Sequence, residues 1–277
     1  IVQKPLADLA SDHSTADLNI AAIGADQSSG HLSAYGVYYQ GVHYQGNCSS
    51  RQGNYPYCNV MALPSYSTAK TVVAGFALMR LEQKFAGSAK ALSISDYVSQ
   101  CPASHWADVS FGQTLDMATG NFDSAADSAD EGTSNTINEF FLKASHTDKI
   151  QHSCSYPRKA PPGSLFVYHS SDTYVLSAAL RQYYRQQVGP QADYYQDLLV
   201  AELWKPLHLS PLSYQSRRSL DSAAVPWAGF GLSLLSDDLL KLGRFAAIDQ
   251  GKVGTEQLLN LPMLQDALQQ GSNGGLT

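Results

Sequence analysis

Apolar residues recur at helical spacing from Thr68 to Lys84 and predict a long amphipathic helix there. The same periodicity predicts helices over Asn135–Ser145, Ser171–Gln187, Asp193–Leu203, Ser236–Ile248 and Glu256–Leu268. Ser134 or Asn135, Ser171 and Ser236 stand where N-caps are expected. Pro102, Pro157, Pro161-Pro162-Gly163 and Pro211 mark the intervening loops. Before Thr68 the pattern differs. Residues 32–45 are rich in Tyr and Val around Gly41 and predict two strands joined by a turn. Such a ribbon is marginal alone and must join a larger sheet. Residues 1–30 are polar apart from Leu18–Ile23 and are expected to wrap the surface. Strands first and helices afterwards indicate an α+β fold, or an α/β sheet carrying an inserted helical lobe.

At 277 residues and 44% hydrophobic content, the chain can bury a core large enough for one big domain or two intimate lobes. Net charge is -6 and the lysines and arginines are scattered, which argues against nucleic acid as a partner. The longest apolar run, Val72–Leu81, is about half the ~20 residues a bilayer span needs. Cys48 and Cys58 bracket a polar turn, a spacing suited to stapling a loop, and Cys101 and Cys154 are left as a second pair. Two other pairings, and four free thiols, remain open alternatives. Disulfides, and with them an exported protein, are the favoured reading because the first pair lies in a polar loop.

Candidate chemistry begins at Ser67-Thr68-Ala69-Lys70, an S-x-x-K tetrad where a loop turns into the first helix. One helical turn separates Ser67 from Lys70, so hydroxyl and amine share a face. Apolar surroundings suit an amine that must accept a proton, because burial disfavours charge. The helix start also offers unpaired N–H groups to a developing oxyanion. About a hundred residues later, Pro161-Pro162-Gly163-Ser164-Leu165-Phe166-Val167-Tyr168-His169-Ser170 leads into another helix. There Tyr168 could relay a proton and Ser170 could contact substrate. His169 is a weaker candidate to line the cleft. The competing reading of each residue is structural: a capping serine, a snorkelling lysine and one core tyrosine among 16.

Taken in order along residues 32–270, these segments resemble the penicillin-recognising serine hydrolases of the class C β-lactamase type. That group includes D-alanyl-D-alanine carboxypeptidases, family VIII esterases and 6-aminohexanoate-dimer hydrolases. Ser67–Lys70 is similar to the family's S-x-x-K, and Pro162-Gly163 with Tyr168-His169-Ser170 to its P-G-x4-Y-x-N/S. Three weaker matches accompany them: residues 92–98 with 109–120, Leu203-Trp204-Lys205-Pro206-Leu207, and Ala228-Gly229-Phe230-Gly231-Leu232-Ser233 with Asp237-Asp238-Leu239.

The resemblance implies a β-lactamase/transpeptidase-like α+β fold, an antiparallel sheet flanked by helices plus a helical lobe. Residues 1–66 would form part of the α/β lobe and 67–270 a mainly helical one, all within a single catalytic module. It further implies catalytic roles for Ser67, Lys70 and Tyr168, a small-molecule or peptide substrate, and no metal or cofactor. The family's third motif, K-T-G or H-x-G, is not found. Lys252-Val253-Gly254 leads into a helical pattern and reads as a turn between helices. The third motif and the sheet's remaining strands are expected beyond Thr277, and the Gly-rich 269–277 segment suggests a C-terminally incomplete module.

No G-x-S-x-G elbow, H-E-x-x-H site or phosphate loop occurs, and His146 and His152 read as surface residues. The favoured function is acyl-enzyme hydrolysis of an amide, ester or β-lactam. The alternative is a catalytically silent penicillin-binding-like module that recognises a cell-wall peptide or a protein partner.

Overall fold

The computed structural model describes residues 1–13, 19–86 and 89–270. Leu18 and residues 271–277, to which two of the expectations above refer, lie outside them. The chain divides into two compact units, Ile1–Leu63 with Leu234–Arg244, and Pro64–Ser233 with residues 245–270.

In the first unit the predicted ribbon is a hairpin of Gly36–Tyr39 and Val42–Gln45, in register Tyr39↔Val42. Its two-residue turn carries Gln40 at φ 46° and Gly41 at φ 88°. Two successive left-handed residues match the strands' twist, and glycine accepts that geometry without a Cβ clash. The ribbon joins a larger sheet through Val2–Pro5, which pairs parallel with Val42–Gln45. Residues 2–5 are therefore a strand rather than the expected wrapping segment. Leu6, Leu9 and Tyr44 are buried beneath, packed with Ile20, Ile23 and Val37. The Tyr44 hydroxyl donates to Asp12 Oδ2 at 2.8 Å, satisfying the polar end of a buried ring. Cys48–Cys58 is a disulfide enclosing the small hairpin Ser49–Ser50/Gly53–Asn54.

The second unit is built on the 19-residue helix Ser170–Val188, buried along most of its length. Its first turn is unusual for a core element, since Ser170, Ser171, Asp172 and Thr173 are all buried. Beside it runs the S-x-x-K helix, π-helical over Lys70–Gly75 and α-helical over Phe76–Lys84. Phe76 rests against Trp204 and Phe245, while Arg80 and Lys84 both reach Glu202 of the helix Tyr194–Trp204.

Two helical expectations change. The 135–145 pattern divides into Ser134–Thr136 with Ile137–Phe141 and a separate helix, His146–Ser153, because Ser145 accepts the Asp148 N–H and caps a new start. At the chain's far end Glu256–Gln257 is not helical. It forms a hairpin with Lys252–Val253, and the helix covers only Leu261–Ala267, where Asn260 caps and Pro262 occupies the first turn. Lys252-Val253-Gly254 thus belongs to that hairpin rather than to a bare turn between helices.

Cys101–Cys154 is the second disulfide, across a sequence separation of 53. A closure that long restricts the unfolded chain substantially. Replacing both cysteines with alanine is expected to lower unfolding free energy by about 2–4 kcal/mol, read as a drop in denaturant midpoint.

Candidate active site

Tyr66, immediately before Ser67, adopts φ 43°, a left-handed conformation costing of order 1 kcal/mol for a residue with a Cβ. Ser65 on its other side is fixed: its N–H donates to the Leu232 carbonyl at 2.8 Å, and its hydroxyl accepts the Leu232 N–H. The turn leaves Ser67 exposed and hands the chain to a helix whose first full turn buries Lys70 to 7% exposure. A π-helical stretch beginning at Lys70 is itself a frequent mark of a functional position.

Lys70 Nζ has three oxygen neighbours: Ser67 Oγ at 3.1 Å, Ser170 Oγ at 2.8 Å and the Gly229 carbonyl at 3.2 Å. A carbonyl can only accept. Ser170 Oγ directs its own proton to Glu131 Oε1 at 2.5 Å, so towards Lys70 it too can only accept. Two amine protons are thereby committed, and the remaining direction faces Ser67 Oγ. Tyr168 Oη lies 2.5 Å from that same oxygen, with its ring 4.8 Å from the amine. Hydroxyl, amine and phenol thus form a contiguous triad drawn from residues 67, 70 and 168.

Main-chain bonds to a neighbouring loop set the Tyr168 segment. Gly163 N–H donates to the Ala118 carbonyl at 2.7 Å, and Val167 N–H to the Met117 carbonyl at 2.9 Å. The next two residues are gripped by one acidic pair. Glu131 Oε2 accepts the Ser170 N–H at 2.9 Å, which places a carboxylate at the positive end of the long helix. Asp130 accepts from His169 Nε2 at 2.9 Å and also takes the N–H groups of Asp123 and Ser124. His169 Nδ1 approaches Asp172 Oδ1 at 3.6 Å, too long for a hydrogen bond but close enough for charge attraction. Tyr156 stacks on the imidazole at 4.6 Å. Burial alone would depress the imidazole's pKa, but Asp172 and Asp130 outweigh it and raise it to about 9. Burial holds the Asp172 carboxyl above its ordinary range.

Of the residues singled out in the sequence, Ser67, Lys70, Tyr168 and Ser170 come together. His169 does not line the cleft; its side chain turns into the interior and holds the loop that carries its neighbours. His152, expected at the surface, is buried and bonded to the Tyr156 hydroxyl. Glu131, Asp130 and the Gly229 carbonyl also belong to the arrangement and carry no catalytic motif in the sequence. The only local signal was two adjacent acids in a polar loop. A cleft of about 570 Å³ opens beside Ser67, bordered by Tyr66, Glu131, Phe141, Ser170, Arg217 and Phe230. Among the described residues no group of three or more His, Cys, Asp or Glu side chains is arranged to hold a metal, and no helix is long and apolar enough to cross a membrane.

No protein-family model and no curated sequence matches the chain. Solved structures do. A Bacillus anthracis protein assigned as a 6-aminohexanoate-dimer hydrolase superimposes with a TM-score of 0.62 at 16% identity, covering 96% of this chain and 66% of that one. EstCE1, a hydrolase with promiscuous acyltransferase activity, gives 0.62 at 17% identity over 89% of this chain and 74% of its own. A class C β-lactamase variant gives 0.56 at 15%, covering 84% and 63%. The chain therefore has the β-lactamase/transpeptidase fold, and it spans about two thirds of the length of these structures.

Two outcomes follow from the acidic pair. Glu131→Ala strands the Ser170 N–H at a buried helix start and is expected to cost about 1–2 kcal/mol of stability in chemical denaturation. His169 titrates higher folded than unfolded, so its stabilisation is complete below the unfolded value near 6.5 and disappears as pH rises through about 9. The stability gap between wild type and His169→Gln, measured by thermal unfolding across that range, should accordingly be widest at low pH and close on the alkaline side.

Proposed function

We propose that the chain is a serine hydrolase of the penicillin-recognising type, working through an acyl-enzyme on an ester, amide or β-lactam carbonyl. One observation carries this reading: Ser67 Oγ lies within hydrogen-bond reach of both an amine and a phenol, Lys70 Nζ at 3.1 Å and Tyr168 Oη at 2.5 Å. Ser67 Oγ attacks the carbonyl carbon as its proton passes to Lys70. Ser170 Oγ and the Gly229 carbonyl keep the amine aimed at that oxygen throughout. Tyr168 donates its proton to the departing group and recovers one from the water that attacks the acyl-enzyme, and Lys70 gives its proton back to Ser67 Oγ as the acyl–oxygen bond breaks, so the site returns to its starting protonation.

The Ser67 backbone N–H, unpaired among the described residues and beside a helix start, is suited to donate to the tetrahedral oxyanion. The shared fold supports a hydrolase in general terms, and the triad supports the serine mechanism in particular. Two disulfides favour an exported location.

The test is covalent labelling followed by intact-mass measurement. A fluorophosphonate should add once, forming a phosphorus–Oγ bond at Ser67 with loss of fluoride, and Ser67→Ala should take up nothing. Lys70→Ala and Tyr168→Phe are each expected to slow labelling by about 10²-fold or more. Wild-type protein that stays unlabelled by fluorophosphonate and by a fluorescent penicillin would instead be the catalytically silent binding module.

A further inference from the structure

We infer that the cleft beside Ser67 receives an acyl group bearing a carboxylate, and that Arg217 is the residue that anchors it. This rests on the serine-hydrolase reading for its chemistry, though not for its binding. Residues 216–218 are extended and held on both sides, Arg217 N–H donating to the Gly231 carbonyl and the Arg217 carbonyl accepting the Trp227 N–H, both at 2.9 Å. Successive side chains of an extended segment face opposite ways. Arg218 is used up structurally, paired with Asp193 at 2.7 Å and with the Ala224 carbonyl. Arg217 is exposed, and among the described residues no carboxylate pairs with it.

Its guanidinium is nevertheless not adrift. The guanidinium carbon sits 4.7 Å from the Trp227 ring centre and 5.4 Å from that of Phe230. Gly231 lets the backbone close on the side chain's base: at φ 89°, a Cβ there would stand 2.4 Å from Arg217 Cβ. Contact with two rings restrains the guanidinium while the side chain stays exposed, and a guanidinium's forked donors suit a planar carboxylate. The cleft's acid, Glu131, forms no ion pair with this cation; its two oxygens accept from the N–H and hydroxyl of Ser170.

Which half of the substrate meets Arg217 follows from the phenol. The departing group must touch Tyr168, and Tyr168 does not border this cleft, whereas Ser67, Arg217 and the apolar rings of Phe141 and Phe230 do. The cleft is therefore the acyl side, shaped for a short apolar chain ending in an anion.

The experiment compares two p-nitrophenyl esters of equal chain length, the monoester of glutaric acid and the ester of valeric acid. Wild type should prefer the anionic ester in kcat/KM, with the preference falling as salt is raised. Arg217→Gln should reduce the anionic-to-neutral ratio about fivefold or more, and Arg217→Lys should restore part of it. A ratio in Arg217→Gln equal to that of wild type overturns the assignment. If the protein hydrolyses neither ester, calorimetry with glutarate and valerate decides separately. Glutarate binding lost in Arg217→Gln upholds the anion site, with the hydrolase reading decided by the labelling test; glutarate binding that is absent, or unaffected by the substitution, sinks the anion site.

Discussion

A buried amine must have its hydrogen-bonding directions filled, and the second unit is arranged around filling those of Lys70. Its partners come from three places far apart in sequence: the residue one turn earlier, the first residue of the longest helix, and a main-chain carbonyl at Gly229. Leaving any one unmatched would cost roughly 1–3 kcal/mol, so the three segments are mutually constrained. The amine sets where the helix Ser170–Val188 must begin and where the 229–233 segment must pass. That same saturation by groups that can only accept is what turns the last direction of the amine towards the serine.

A second layer explains why the helix can begin in the interior. Helix starts leave N–H groups unpaired, and burying one without a partner is unfavourable. Here the consecutive acids Asp130 and Glu131 grip the consecutive residues His169 and Ser170. Glu131 supplies the cap, and Asp130 with Asp172 supplies counter-charge for an imidazolium that could not otherwise be buried. One short loop therefore fixes both the seryl hydroxyl that holds the amine and the backbone that presents the phenol. His169 itself is buried and touches neither Ser67 nor Lys70; it acts on this arrangement through the residues on either side of it.

Legibility in the sequence follows the range of each interaction. Ser67 and Lys70 could be read because their proximity is a property of one helical turn. The hairpin around Gly41 was equally local. Tyr168 could be placed only through the order of several segments, since nothing near it in sequence reports a contact across a hundred residues. Glu131 and the Gly229 carbonyl left no trace for the same reason, and a backbone carbonyl has no residue type to betray it. The 256–268 pattern misled for a different reason. Leu258, Leu259, Met263 and Leu264 are all buried and mimic a helical stripe, yet the first two follow a hairpin and only the last two lie on a helix. Periodicity reports burial, and backbone geometry only by inference. Val2–Pro5 escaped notice because an edge strand of four residues, mostly exposed, has almost no pattern to show.

The charge distribution about Trp227 bears on what the cleft is for. Lys149 is buried on that ring, its ammonium 3.8 Å from the ring centre and donating to the Phe140 carbonyl at 2.7 Å. Burial first, and Arg217 second, bring its pKa down to about 8. A lysine that titrates lower in the folded chain than in the unfolded one is a net cost whenever it is charged, and the cost is relieved only as pH climbs from about 8 towards the ordinary lysine value. Placing a second cation on the same ring deepens that cost. The fold does not need the charge of Arg217, whose backbone is already held by Gly231 and Trp227 and whose stem any long side chain could imitate. An unpaired cation kept beside a buried one is a standing instability that an incoming anion would discharge, and the surface where it meets solvent is the wall of the cleft that holds Ser67.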